Sequence, residues 1–237
     1  MNYRSILFFL GFNLLFFSIF PIINIAYSIY FDFLLALDHY LVILFISLFI
    51  GSLFFYLGKS SKNNFALTEQ ITFIVLIYCI VPLLISIPYA FSIYDLSFID
   101  SYFESVSGFT TTGFSVLENI ENIDKPLILW RSSSQWLGGL IFLLITIGTI
   151  GSKQIRIKPS YLISGGASGR NFYNNYNYNF IKILLIYFSL TLFVIFLYTL
   201  VNFRLFDSFN IAFTTISSGG FIPKNNLSSI LQNNIQT

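Results

Sequence analysis

Five stretches of this chain stay apolar for about the length a helix needs to cross a bilayer, roughly 20 residues. They are Ile6–Tyr30, Tyr40–Leu57, Thr68–Ile93, Pro126–Ile150 and Phe180–Asn202. In lipid every backbone N–H and C=O must find a partner inside its own segment, so such runs fold as helices. The expected fold class is therefore all-α integral membrane. Of 237 residues, 56% are hydrophobic and only 9% charged, too few charges to coat a water-soluble globule. The basic residues form no stripe, which argues against a nucleic-acid surface. One cysteine, Cys79, allows no disulfide within the chain. The first run follows Arg4 and far exceeds the roughly 7–15 apolar residues of a signal peptide, so it reads as a retained helix.

Two further segments start apolar and then change character. Ser97–Ser115 and Leu205–Phe221 turn into Thr, Ser and Gly after about ten apolar residues, too few to span a bilayer. A short helix followed by glycine-bearing irregular backbone is the pattern of a re-entrant loop. The two segments also resemble each other. Asp100–Phe114, DSYFESVSGFTTTGF, aligns without a gap on Asp207–Phe221, DSFNIAFTTISSGGF, at a constant offset of 107 residues. Asp100 meets Asp207, Ser101 meets Ser208, Gly113 meets Gly220 and Phe114 meets Phe221. Each copy follows a full-length apolar run, and such internal repeats are common in transporters.

The layout implied is a transmembrane hairpin over 1–63, a first helix–short helix–loop–helix unit over 64–152, a polar cytoplasmic loop over 153–179 and a partial second unit over 180–237. Lys and Arg favour a cytoplasmic amino terminus: Arg4, Lys59, Lys62, Lys153, Arg156, Lys158, Arg170 and Lys182 fall on that side, against Lys125, Arg131, Arg204 and Lys224 on the other. Acidic residues collect outside, which reads either as a cation-attracting mouth or as ordinary solvated loops.

The chemistry this pattern suggests is cation coordination. A short helix aimed inward presents its carbonyl end, roughly half a negative charge, to a cation. The backbone beyond it, Thr110–Gly113 and Ser217–Gly220, can turn carbonyls inward to replace an ion's water. Glycine suits backbone angles closed to other residues. The plainer reading is a glycine-softened turn between packed helices.

Three stretches carry a family resemblance: FESVSGFTTTGFSVL (Phe103–Leu117), RSSSQWLGGL (Arg131–Leu140) and ISSGGF (Ile216–Phe221). With the leading pair Ile6–Leu57, the chain resembles the Trk/Ktr/HKT superfamily of potassium and sodium transporters, most closely its bacterial TrkH-type membrane subunits. The resemblance implies a pore of four membrane–pore–membrane units around one axis, each with a filter strand and a key glycine. Carried over, Gly113 and Gly220 are those glycines. Thr110, Thr111 and Thr112 supply carbonyls to potassium in the first unit, and Ser217, Ser218 and Gly219 do so in the second. It also implies a homodimer in the bacterial inner membrane on a cytosolic TrkA-type nucleotide-binding ring, with no cofactor beyond the transported ion. The second unit runs only about sixteen residues past its loop, so the resemblance implies an amino-terminal part of a longer transporter, completed by missing carboxy-terminal units or a second chain. Alone it lines about half a filter and is not expected to conduct. The alternative is a truncated, non-transporting relic or regulatory membrane scaffold.

Other residues have competing readings. Glu104 reads as a filter-supporting or cation-attracting charge, against a neutral surface role, and Arg131 as a brace of a filter loop or a headgroup-seeking arginine. Gln135 lies one turn beyond Arg131 and joins the supports. Gly138 and Gly139 read as close-packing positions. Asp100 and Asp207 fit helix N-caps, and Pro21, Pro82 and Pro88 should kink or end their helices. An enzyme is not expected. GASG, Gly166–Gly169, matches an intramembrane serine protease motif with Ser168 as nucleophile, but the lone His39 precedes it and Ser168 falls in a polar loop.

Overall fold

The structure, a computed structural model, describes residues 3–34, 37–59, 67–92, 96–150 and 168–224, with the side chains of residues 67, 149–150 and 168–179 outside that description. Eight α-helices account for most of it: α1 (Tyr3–Phe17), α2 (Ile19–Tyr30), α3 (Leu37–Gly58), α4 (Leu67–Ala90), α5 (Phe98–Phe109), α6 (Lys125–Ile150), α7 (Ser168–Leu200) and α8 (Leu205–Ser217). Five spans are long and apolar enough to cross a membrane: Tyr3–Tyr30, Leu37–Gly58, Thr68–Ala90, Lys125–Gly148 and Phe180–Leu200. The fold is all-α and of membrane type. Helices α5 and α8, of 12 and 13 residues, reach about 18–20 Å at 1.5 Å per residue, short of a bilayer core.

The first span breaks where proline chemistry puts the break. Pro21 has no N–H for the carbonyl four residues back, and its ring crowds that carbonyl. That residue is Phe17, the last of α1. The backbone stays near-helical at Ser18, whose hydroxyl donates to the Leu15 carbonyl (2.7 Å). Pro82 and Pro88 act otherwise. Helix α4 runs through both and ends at Ala90, three residues before the sequence-based expectation. The Trp130 indole N–H of α6 donates to the Ile85 carbonyl between the two prolines (3.0 Å), tying α4 to α6.

Helices α1 and α3 form a close hairpin. A side chain at Gly11 or Gly58 would strike backbone of the facing helix, and one at Gly51 would press on Leu14 and Leu15. Such small residues let membrane helices approach.

Helix α6 is the post the rest surrounds. Of its most apolar window 89% is buried, against 22% for α3 and 17% for α7. The reason is in its sequence: Arg131, Ser132, Ser133, Ser134 and Gln135 are all buried, and polar side chains at membrane depth must face protein. Helices α2, α4, α5, α7 and α8 pack on it. Trp130 sits among Phe17 and Tyr40. Trp136 packs on Tyr187 and Phe213, and its N–H donates to Thr191 (2.9 Å). The faces of α3 and α7 turned outward carry Phe45, Phe49, Ile181, Phe193 and Phe196, suited to lipid.

The stretch expected as a polar loop over 153–179 divides. Residues 151–167 lie outside the described residues, and the chain is helical from Ser168 onward. Gly166 and Ala167 of the protease-like motif lie outside the described residues, as does the side chain of Ser168.

Candidate functional site

The ends of α5 and α8 are built alike. Helix α5 starts at Phe98 and α8 at Leu205, the same register in the repeat. At the far end of α5, Thr112 N–H donates to the Ser107 carbonyl (2.9 Å) and Thr111 N–H to the Gly108 carbonyl (3.0 Å). At the end of α8, Gly219 N–H donates to the Thr214 carbonyl (2.8 Å) and Ser218 N–H to the Thr215 carbonyl (3.1 Å). Both sets are the paired bonds of a Schellman cap. Its left-handed residue is usually glycine, yet here it is Thr111 (φ 57°) and Ser218 (φ 58°). Left-handed backbone costs a residue with a Cβ about 1–2 kcal/mol. Two residues on, Gly113 (φ 82°) and Gly220 (φ 81°) turn the chain again.

The two loops meet. A Cβ at Gly113 would collide with the Gly219 carbonyl, so glycine is required there for space as well as for angle. Two neighbouring glycines of α6 seat the two short helices. A Cβ at Gly138 would fall on the Phe109 carbonyl at the end of α5. One at Gly139 would crowd Ser217 at the end of α8, 2.9 Å from its Cβ. The GG pair thus packs helices, and it brings two carbonyl ends to one place, each roughly half a negative charge.

Each loop has its own brace from α6. In the first, Glu104 and Arg131 form a fully buried ion pair, Nη2 to Oε1 at 2.8 Å, with Nε also donating to Oε1 (2.9 Å). The carboxylate accepts from the Ser115 hydroxyl (3.1 Å) and the Val116 N–H (3.0 Å), and Arg131 Nη2 donates to Ser115 Oγ (3.0 Å). Glu104 is therefore a neutralised anchor of the loop's return, and Arg131 does not reach for headgroups. Ser107 Oγ donates to the Phe114 carbonyl (2.5 Å), and the Thr110 and Thr112 hydroxyls share a hydrogen bond (2.7 Å). In the second loop Gln135 Nε2 donates to the Gly219 carbonyl (2.8 Å) while its Oε1 accepts from the Phe221 N–H (3.1 Å). Ser217 Oγ donates back to the Phe213 carbonyl (2.9 Å). Asn210 fixes α8 itself, accepting from Ser132 Oγ (2.5 Å).

Phe221 carries more of this site than its sequence position signals. Its ring lies 4.2 Å under the Arg131 guanidinium and against Gly108 of α5, so it ties both loops to one arginine. The sequence marks it as the repeat-mate of Phe114 and the last residue of ISSGGF, with no sign of a contact to Arg131.

The two aspartates are not N-caps. Ser97 caps α5, accepting from the Asp100 N–H (3.1 Å) and donating to the Asp100 carboxylate (2.7 Å). Asp100 is thus the third helical residue, with its N–H and its carboxylate both bonded to the cap hydroxyl. Asp207 holds the same place in α8, whose cap is Arg204 with no side-chain bond. Each helix starts three residues earlier than an aspartate cap would place it, because Phe98–Asp100 and Leu205–Asp207 belong to it. Burial raises the pKa of Asp207, against the pull of Lys224, Arg204 and Lys125. Among the described residues no group of three His, Cys, Asp or Glu side chains is placed to hold a metal.

No family model matches the sequence. An uncharacterized cation transporter of Methanocaldococcus jannaschii is 28% identical over 222 residues, 88% of this chain and 43% of that protein. The Trk system potassium uptake protein TrkH of Halomonas elongata is 26% identical over 228 residues, 93% of this chain and 46% of its own length. The crystal structure of the potassium transporter TrkH from Vibrio parahaemolyticus superposes with a TM-score of 0.71 at 24% identity, covering 95% of this chain and 45% of that one. The chain spans less than half the length of these three proteins. It is a relative of the TrkH-type potassium uptake proteins, and its helices are arranged in the TrkH fold over the part it spans.

Proposed function

We propose that this chain forms part of a transmembrane pathway for potassium, as a segment of a TrkH-like transporter subunit and not as an enzyme. The supporting observation is the pair of matched loops: two short helices, seated side by side on Gly138 and Gly139, end in left-handed caps whose backbones touch at Gly113 and Gly219. In this reading the carbonyls of Thr110, Thr111, Thr112 and Gly113, with those of Ser217, Ser218 and Gly220, replace the ion's water. Gly219 belongs to the same lining with its carbonyl shared with Gln135. Glu104, Arg131 and Gln135 hold the loops and do not touch the ion. Ions move inward down the membrane potential, worth about 2.3 kcal/mol per charge per 100 mV. The rest of the lining comes from further units of the same protein or a second chain. A homodimer, a TrkA-type cytosolic regulator, an inner-membrane location and a cytoplasmic amino terminus complete the proposal.

Rubidium uptake tests it. Potassium-uptake-deficient bacteria expressing the protein from its own gene should take up rubidium in preference to sodium, and Gly113→Ser should weaken that preference. Correctly inserted protein with no uptake would favour the non-transporting scaffold. An unchanged rubidium-to-sodium ratio in Gly113→Ser would remove Gly113 from the lining.

A further inference from the structure

Gln135 grips the second loop with both ends of one neutral amide. The Gly219 carbonyl and the Phe221 N–H lie two residues apart, and Gln135 satisfies both, at 2.8 and 3.1 Å. Only a group with a donor and an acceptor side by side can do this, and a carboxamide is one. The orientation of the amide follows from its partners, since a carbonyl needs the NH2 end and an N–H needs the oxygen. Gln135 is fully buried, and a Cβ at Gly219 would lie on its amide. The loop is thereby sorted into sides. Ser217, Gly219 and Phe221 are buried, while Ser218 and Gly220 are exposed. The Gly219 carbonyl is also the atom that limits how near the first loop comes, at Gly113.

The geometry points to Gln135 as a specificity-determining positioning residue. Carried by the helix that closes the first helix–loop–helix arrangement, it sets the backbone of the second loop between Gly219 and Phe221, and so the spacing of the oxygens the loop offers to a cation. The inference rests on the potassium-pathway reading.

Two measurements test it, each with Gln135→Leu and Gln135→Glu. Hydrogen exchange of the Phe221 amide, on the purified protein in nanodiscs, should lose roughly tenfold protection in Gln135→Leu, because the acceptor is gone. Gln135→Glu keeps the acceptor and should retain most of that protection. Rubidium and sodium uptake, in cells as above, should show a roughly tenfold fall in preference for Gln135→Leu at every pH. Gln135→Glu should be preferential at low pH, where the protonated carboxyl again donates to Gly219. It should lose preference as pH rises and the donor ionises, a titration absent from wild type. An equal melting temperature in the two variants separates positioning from misfolding, and Gln135→Glu carries the test if Gln135→Leu does not fold. If wild type prefers rubidium and both variants keep its ratio at every pH, the inference is overturned while the pathway reading stands. If wild type takes up no rubidium, the pathway reading fails and the specificity role falls with it, whatever the Phe221 exchange shows.

Discussion

The loops after α5 and α8 share their backbone and differ in what holds it. Their left-handed residues agree within a degree, Thr111 at 57° against Ser218 at 58° and Gly113 at 82° against Gly220 at 81°. Yet the first is tied by a charge pair, Glu104 with Arg131, and the second by a neutral amide, Gln135, and an aromatic ring, Phe221. Phe221 is 4% exposed while its repeat-mate Phe114 is 69% exposed. A Cβ at Gly113 would hit the neighbouring loop, and one at Gly220 would meet nothing within 4 Å among the described residues. Local sequence thus repeats the turn, and the neighbour each turn happens to meet decides its anchorage.

The largest expected effect comes from the charge pair. Arg131→Ala leaves Glu104 buried and unpaired and removes the cation from the face of Phe221, so it should destabilise both loops. Breaking a buried pair costs about 3–5 kcal/mol, readable as a loss of thermal stability in detergent. Arg131→Met combined with Glu104→Gln should cost far less. A double variant as unstable as Arg131→Ala would show that the pair's charge is not the issue.

A smaller effect should separate the glycines. Gly113→Ala combines a steric clash with left-handed strain, about 2–4 kcal/mol in all. Gly220→Ala has the strain alone, about 1–2 kcal/mol. Equal losses for the two in thermal unfolding would mean that the loops do not touch at Gly113.

The caps should respond alike. Thr111→Gly and Ser218→Gly each relieve left-handed strain and should each raise stability by about 1 kcal/mol or less, since glycine's added chain entropy offsets part of the gain. Gains that differ clearly between the two would break the equivalence of the turns.

The smallest effect concerns Asp207. Its pKa is raised in the folded protein above the ordinary 3.8, by burial first, with Lys224, Arg204 and Lys125 opposing. A raised acid contributes stability at low pH that is lost as pH climbs from about 4 through the folded pKa. Asp207→Asn should flatten that part of the stability-versus-pH curve and leave the acid end unchanged. A variant with the wild-type slope would assign the titration to another group.

Much of the fold was legible without coordinates. Five apolar runs of bilayer length dictate five helices, because lipid offers the backbone no other partner. The offset between Asp100 and Asp207 announces two equivalent short helices, since similar residues in similar order make similar caps. Pro21 marks the break after Phe17 through its missing N–H. Helix starts were less legible. The aspartates looked like caps, but a residue three positions past the true cap is hard to tell from one at it when Ser97 and Arg204 are the caps.

What the chain's sequence determined by itself is local: which segments are helical in lipid, where the short helices stop, and that two turns are alike. Those properties depend on side chains within a few residues of each other and on a solvent without hydrogen bonds. Tertiary structure alone decided the rest: that α6 stands at the centre, that Gly138 receives α5 and Gly139 receives α8, that Arg131 serves Glu104 and Phe221 together, and that Gln135 reaches Gly219, 84 residues away. Such pairings join residues far apart in the chain, and they arise only when buried polar groups compete for the few partners that packing leaves within reach.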